Sequence, residues 1–399
     1  MTRRARSSVA KVSALATGLV LFAAGCAKHA PQDTLKPQGP KAEKINNLIM
    51  PVFGVAGVVF VVILGGALFI ALKFRARDED DFDEMPAQIH GHFKAEIGWT
   101  IAPAVVLAVI GAFTVSTIID LAKKPPADAL EVEVWGQQWW WEYRYHVDVD
   151  GDGVKETIIT ANDMVIPTDR EISLKISSHD VIHSWWSPRL NGKKDAVPGR
   201  VHPLTINAPD PGEYIGQCTE FCGLSHAEMR IKVVALEPAD FQAWLEQQVQ
   251  PFKAPTSGPA ADGFGLFASQ CTTCHRITGM TDPADPSKQF KYPAVINQVS
   301  KNAPNLTKFM TRTTFAGAKF NLRKDTKECR ALGEDWANTK AGIAKCLNRA
   351  DLEAWLRNPP AQKAMYPGDQ PSTSSRGMPN FNLSEDQIDT LVAFLTTLK

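Results

Sequence analysis

Cys218-Thr219-Glu220-Phe221-Cys222-Gly223-Leu224-Ser225-His226-Ala227-Glu228-Met229 sets two cysteines, a histidine and a methionine within twelve residues, at spacings of four, four and three. Thiolate, imidazole and thioether form a soft donor set that suits copper better than calcium or magnesium. Zinc accepts cysteine and histidine, but methionine lies outside its usual ligands. A mononuclear blue-copper site needs one cysteine. A second cysteine on the same loop therefore points to two thiolates bridging two metal ions. Such a pair still lacks a second histidine. His183, in Asp180-Val181-Ile182-His183-Ser184-Trp185, lies 35 residues before Cys218 and can supply it.

The 399 residues allow two ordinary domains plus membrane segments. Forty-three basic and forty-three acidic residues cancel, and without a long basic run nothing points to nucleic acid. Arg3, Arg4, Arg6 and Lys11 followed by an apolar stretch from Val12 to Ala24 read as an export signal over 1–26. It ends in Ala23-Ala24-Gly25-Cys26, which resembles a lipoprotein cleavage box with alanine in place of the usual leucine. Leu48 to Leu72 carries no charge and is long enough to span a bilayer; Ile97 to Ile119 is a second such run. Two spans make a hairpin over 27–124 whose flanks share one side. Lysine and arginine counts leave that side open; the export signal and the haem motif described below put both flanks outside.

Beyond Lys123-Lys124-Pro125-Pro126 the period changes. Glu171-Ile172-Ser173-Leu174-Lys175-Ile176-Ser177 alternates as a half-buried strand does, and Val201 to Ile206 and Arg230 to Ala235 read as further strands. Short strands between Pro/Gly turns suggest a sandwich or barrel over 125–250. Trp135-Gly136-Gln137-Gln138-Trp139-Trp140-Trp141-Glu142-Tyr143-Arg144-Tyr145 reads as a strand with rings packed on one face. Asp148-Val149-Asp150-Gly151-Asp152-Gly153 imitates a calcium loop, but the required twelfth-position glutamate is Ile159, so it reads as a turn.

Residues 251–262 form a Pro/Ser/Gly-rich linker. Cys271-Thr272-Thr273-Cys274-His275 then indicates covalent c-type haem, with two thioethers and His275 as proximal ligand. A high-potential haem takes methionine as sixth ligand. The candidates are Met280, Met310, Met365 and Met378. Met280 is too close to His275 to reach the opposite face easily. A helix over Asp351 to Leu356 should stop before Asn358-Pro359-Pro360. A last helix should start at Ser384, capped with Gln387, and bury Ile388, Leu391, Val392 and Leu395. Cys329 and Cys346, in the long segment from Arg323 to Leu347, are left as a disulfide pair outside the membrane.

His183, Cys218, Glu220, Cys222, His226 and Met229 resemble, residue by residue, the dicopper CuA site of cytochrome c oxidase subunit 2. The resemblance implies a two-helix transmembrane hairpin, an all-β cupredoxin-like Greek-key barrel and, over 263–399, an all-α class I cytochrome c domain. It implies that Cys218 and Cys222 bridge the coppers, that His183 and His226 bind one each, that Met229 is a weak ligand and that Glu220 binds through its carbonyl. Trp139 corresponds to the family's exposed ring through which electrons enter. Glu96, in Glu96-Ile97-Gly98-Trp99, corresponds to a glutamate at the mouth of a proton path into subunit 1. From the physics of the stretch alone it reads as an interfacial acid beside a Trp99 anchor. The Glu220 side chain would help hold magnesium at the subunit 1 interface, where Asp195 and Arg200 also fall. Gly377-Met378-Pro379-Asn380-Phe381 resembles the distal loop of class I cytochromes c, which favours Met378 with Met365 second.

The resemblance thus implies a respiratory electron-transfer subunit of a bacterial inner-membrane cytochrome c oxidase. Its partners would be subunits 1 and 3 and a cytochrome c or other periplasmic donor. Its cofactors would be the dicopper centre, covalent haem c and magnesium at the interface. A copper-storing or copper-delivering membrane lipoprotein is the alternative, against which the haem motif speaks. A nitrous oxide reductase would need a histidine-rich cluster that nine scattered histidines do not provide, and a quinol oxidase subunit would lack the copper ligands.

Overall fold

Two long runs without apolar/polar alternation become helices α1 (Pro40–Lys73) and α2 (Phe93–Leu121). Each contains an 18-residue window apolar enough for a lipid environment, with mean hydropathies of 2.8 and 2.2. Their apolar side chains, such as Val61, Leu72, Leu107 and Phe113, are exposed all round. A helix apolar on every side needs lipid or protein around it. Asp120 at the end of α2 pairs with Lys44 near the start of α1 and with Lys123. This computed structural model describes residues 30–75, 88, 90–282, 285–289, 303–365 and 377–399. The export signal over 1–26 and the cleavage box at Cys26 lie outside the described residues.

The copper-ligand sequence sits in two five-stranded sheets. One runs β3 (Glu156–Ala161), β2 (Trp140–Val147), β1 (Leu130–Gln137), β5 (Ile172–Ser178) and β8 (His202–Ile206). The other runs β4 (Asp163–Pro167), β10 (Arg230–Leu236), β9 (Gly212–Cys218), β6 (His183–Trp186) and β7 (Lys194–Ala196). Pairing is antiparallel except between β1 and β5 and between β4 and β10. Such non-sequential pairing in two sheets fits the cupredoxin-like class. Strand alternation builds the core. Trp141, Tyr143 and Tyr145 of β2 are fully buried, while Glu142, Arg144 and His146 between them are not. Each such large apolar side chain contributes about 1.5–3 kcal/mol by leaving water. The Tyr145 hydroxyl donates to the Val165 carbonyl at 2.9 Å and accepts from its amide at 3.0 Å, tying the two sheets together. Helix α3 (Pro238–Gln248) packs Phe241 and Trp244 beneath this core.

The aromatic run corrects one expectation. It is not a single strand. The chain reverses at Gln138–Trp139, and Gln137 pairs with Trp140 in an antiparallel hairpin. Trp141, Tyr143 and Tyr145 share the core face of β2, whereas Trp140 points to the other face and lines the interdomain cavity, and Trp139 occupies the turn.

In the C-terminal domain, α4 (Pro259–Gln270) crosses α9 (Glu385–Leu395). Gly263 permits the crossing, because a Cβ there would lie 1.9 Å from the Thr390 carbonyl oxygen. Phe264 and Phe267 close on Phe394 at ring separations of 5.5 and 5.2 Å. Ser384 and Gln387 form the expected capping box, and Ile388, Leu391, Val392 and Leu395 are buried with Phe394. Between these helices lie α5 (Lys327–Ala331), α6 (Lys340–Cys346) and α7 (Arg349–Arg357). Helix α7 ends at Asn358, whose side chain caps the following short α8 (Pro359–Gln362). Cys329 in α5 is disulfide-bonded to Cys346 in α6, closing the long segment on itself.

Candidate metal and haem centres

The β9–β10 hairpin gathers the soft ligands. Its last rung joins the Cys218 amide to the Met229 carbonyl at 2.9 Å, so both ends of the loop lie side by side. Trp185 of β6 pairs with Cys218, and the Thr219 amide donates to Ser184 at 3.0 Å, which brings His183 alongside. The two sulfurs are 3.9 Å apart. His183 Nδ1 lies 3.9 Å from Cys218 Sγ, and His226 Nδ1 lies 3.5 Å from Cys222 Sγ. Met229 Sδ is 3.9 Å from Cys222 Sγ, and the Glu220 carbonyl is 3.3 Å from Cys218 Sγ. The six positions singled out in the sequence thus converge, with His183 and Met229 fully buried. The donor set fits a pair of soft, thiolate-bridged metal ions such as copper.

Asp180 and Gln138 were not singled out as site residues. Asp180 Oδ1 lies 2.8 Å from His183 Nε2, which leaves Nδ1 turned to the sulfurs. A carboxylate behind a ligating imidazole fixes its tautomer and orientation. Asp180 also accepts from the Gln138 amide at 2.8 Å. Gln138 Nε2 and Trp139 Nε1 both donate to the Cys222 carbonyl, at 2.6 and 3.0 Å. Asp180 stands three residues before His183, a spacing that hinted at its role; Gln138 gave no signal in the sequence.

The site is poised to exchange protons for cations. A hydrogen bond from Cys222 lowers the Cys218 thiol despite burial, with help from His183. The same contact, together with burial, raises Cys222. Burial works against a charged His183, but Asp180 and Cys218 outweigh it and raise its pKa. One proton leaves easily and the next does not, which is the state that metal binding would displace.

A cavity lies between the copper-ligand domain and the C-terminal domain. Cys271, Cys274, His275, Met365 and Met378 line it from one domain, and Trp139 from the other. His275 Nδ1 lies 2.8 Å from the Pro304 carbonyl, the partner that leaves Nε2 for a metal. Burial lowers His275 and pushes the Cys271 thiol up to about 12. Met378 donates its amide to Met365 Sδ at 3.3 Å. Met280 is buried in the core and Met310 likewise; neither lines the cavity. Arg312 lines it with its buried Nε unpartnered among the described residues, and Asn305 Nδ2 nearby is in the same state. An apolar lining with two cysteines, a histidine, methionines and orphaned donors fits a covalently held porphyrin with acidic side groups.

Trp139 corrects a second expectation. Its ring is only 3% exposed. The C-terminal domain covers it: Lys363 Nζ donates to the Trp139 carbonyl at 2.7 Å and to the Ala316 carbonyl at 2.9 Å. Burial pushes Lys363 down to about 7, against the pull of Glu228. Glu96 lies in the first turn of α2 and accepts from the His92 amide at 3.1 Å, apart from both centres. Asp195, Arg200 and the Glu220 side chain are exposed. Asp148, Asp150 and Asp152 cluster in the β2–β3 loop, where Asp148 accepts from Gly151 and Gly153 as a turn requires.

Comparison with known proteins gives three family matches in chain order. Residues 31–117 match the transmembrane domain of cytochrome c oxidase subunit II, 130–236 its periplasmic domain, and 260–399 cytochrome c. The chain is similar to cytochrome c oxidase subunit 2 of Alkalihalophilus pseudofirmus, with 29% identity over 96% of this chain and 95% of that protein. A probable cytochrome c oxidase subunit 2 of Rickettsia bellii is 31% identical over 57% of this chain and 89% of its own length. The crystal structure of the periplasmic domain of subunit II of cytochrome oxidase of Bradyrhizobium japonicum is 32% identical, covering 31% of this chain and 95% of that one, with a TM-score of 0.28.

Proposed function

This chain belongs to the cytochrome c oxidase subunit 2 family, with a cytochrome c domain fused at its C-terminus, and on that premise we propose that it relays electrons to subunit 1. The donor is a cytochrome c or another exported protein. Subunit 1, with subunit 3 beside it, reduces oxygen to water and pumps protons. The chain sits in a bacterial inner membrane with both globular domains outside.

The observation that carries the relay is Trp139. It lines the cavity shared with Cys271, Cys274 and His275, and its Nε1–H donates to the carbonyl of Cys222 at 3.0 Å. One ring therefore touches both centres. When bound, a dicopper pair and a haem iron supply one-electron redox states at the two places. Cys218 and Cys222 would bridge the coppers, His183 and His226 would hold one each, Met229 would be a weak ligand, and Glu220 would bind through its carbonyl. Asp180 holds His183 in register from behind. Cys271 and Cys274 would carry the haem thioethers, His275 the proximal bond, and Met378 the sixth position with Met365 as the other candidate. The exposed Glu220 side chain, with Asp195 and Arg200, offers oxygen ligands and charge for a magnesium site at the subunit 1 interface. Glu96, at the membrane edge, would admit protons.

Metal and haem analysis of the purified complex tests this reading. We expect two coppers and one covalent haem per chain. Cys218→Ser should abolish the near-infrared copper absorption and leave the haem spectrum intact. An unchanged copper band in that variant would remove the site assignment.

A further inference from the structure

A flexible tether would raise the local concentration of the cytochrome domain at copper without fixing its pose. The structure shows a different device. Asp163 opens β4, on the edge of the copper-ligand sheet, and is 2% exposed. Its Oδ2 accepts from the Thr313 amide at 2.6 Å, the Thr313 hydroxyl at 2.8 Å and the Thr314 amide at 3.3 Å. Its Oδ1 accepts from the Thr314 hydroxyl. All four donors come from the cytochrome domain, and both threonines are buried.

A dry carboxylate is strongly disfavoured unless charge-assisted hydrogen bonds replace its water. Here that replacement exists only when the two domains are docked. Arg312, one residue before the threonines, adds charge: burial pushes it down to about 10, and Asp163 and Glu142 of the other domain oppose that shift. The segment leaving the clasp runs straight to the electron path. Phe315, Ala316 and Gly317 line the cavity beside Trp139. The Gly317 carbonyl accepts from the Arg230 amide at 3.0 Å, one residue past Met229. A displacement at Asp163 would therefore shift the cavity wall against Trp139.

We propose that Asp163 is a positioning residue for electron transfer: its buried carboxylate clasps Thr313 and Thr314 and locks the haem cavity of the cytochrome domain over Trp139. The inference rests on the relay reading above and adds to it the group that sets the docked pose.

The test uses the full-length complex and two variants, Asp163→Ala on one side and Thr313→Val with Thr314→Val on the other. Hydrogen exchange is read at the amides of Thr314 and Arg230, and haem-to-copper transfer is read after rapid reduction of the haem. Each variant should raise exchange at both amides roughly ten- to a hundred-fold, since each hydrogen bond lost from a charged group is worth about tenfold or more. Each should slow the transfer while leaving the copper band and the haem spectrum in place. Wild-type exchange in the threonine variant, or raised exchange with an unchanged transfer rate, would overturn the proposal. A wild-type complex that transfers no electron would instead overturn the relay reading, and exchange would then still decide whether the clasp exists.

Discussion

Gly136→Ala is a small change with a large expected effect on metal binding. Gly136 lies in β1, opposite Trp141, with its bare Cα against the His183 ring. A Cβ there would fall 2.8 Å from His183 Cδ2, 3.1 Å from His183 Cγ and 3.1 Å from Trp141 Cζ3. Carbon atoms settle at about 3.5–4.0 Å, so the imidazole would have to retreat by roughly 0.7 Å. Metal–ligand distances tolerate about 0.2 Å. The ring cannot slide freely, because its Nε2 is held 2.8 Å from Asp180 and Trp141 fills the space alongside. Overpacking of this kind costs about 1–3 kcal/mol of fold stability. Loss of ligand orientation costs about 10–100-fold in metal affinity. Copper titration against a competing chelator, followed by thiolate-to-copper absorption, measures the second effect, and thermal unfolding of the apo chain measures the first. Gly265→Ala, inside α4 and meeting nothing within 4 Å, serves as the control: it should leave copper affinity unchanged and raise stability by about 0.5–1 kcal/mol through helix propensity. A Gly136→Ala chain with wild-type copper affinity and an unshifted spectrum would show that the His183 ring is not held in place by the bare Cα of Gly136.

Asp180→Ala should weaken copper binding by about 10–100-fold in the same titration, since it frees the imidazole of His183 without touching a ligand. Replacing Cys329 and Cys346 by serine opens a link across 17 residues; a loop of that size is worth about 3 kcal/mol, to be read as a lower urea midpoint for the cytochrome domain with the copper band unchanged. His179 stacks on Trp135 at 4.3 Å, and burial lowers its pKa below the ordinary 6.5. The unfolded chain then binds the extra proton first, so the copper-ligand domain should lose stability as pH falls below about 6.5. His179→Gln should flatten that slope in pH-dependent thermal melts.

The fold was legible wherever one physical rule dominated. Uninterrupted apolar runs gave α1 and α2, and strict alternation gave β5. The Ser384–Gln387 pattern gave the start of α9 because a capping box is a local exchange of hydrogen bonds. The Cys218–Met229 loop was legible as a ligand cluster because a hairpin brings its own ends together. The hairpin turn at Gln138–Trp139 was hidden, since the alternating aromatics run through it and neither turn residue is a glycine, proline or aspartate. The burial of Trp139 was hidden for another reason. It depends on Lys363, more than two hundred residues away, and no local pattern encodes a contact between domains. Asp163 was invisible on the same grounds, since its four donors come from residues about 150 positions further along the chain, in the other domain.

Rapid mixing reads electron transfer within the one polypeptide. The haem of the oxidised complex is reduced in a pulse, and haem and near-infrared copper absorbance are followed together without oxygen. Haem reoxidation should match copper reduction in a single first-order phase whose rate does not change with protein concentration. A haem that stays reduced beside oxidised copper, or a rate that scales with concentration, would mean that electrons do not pass within the chain.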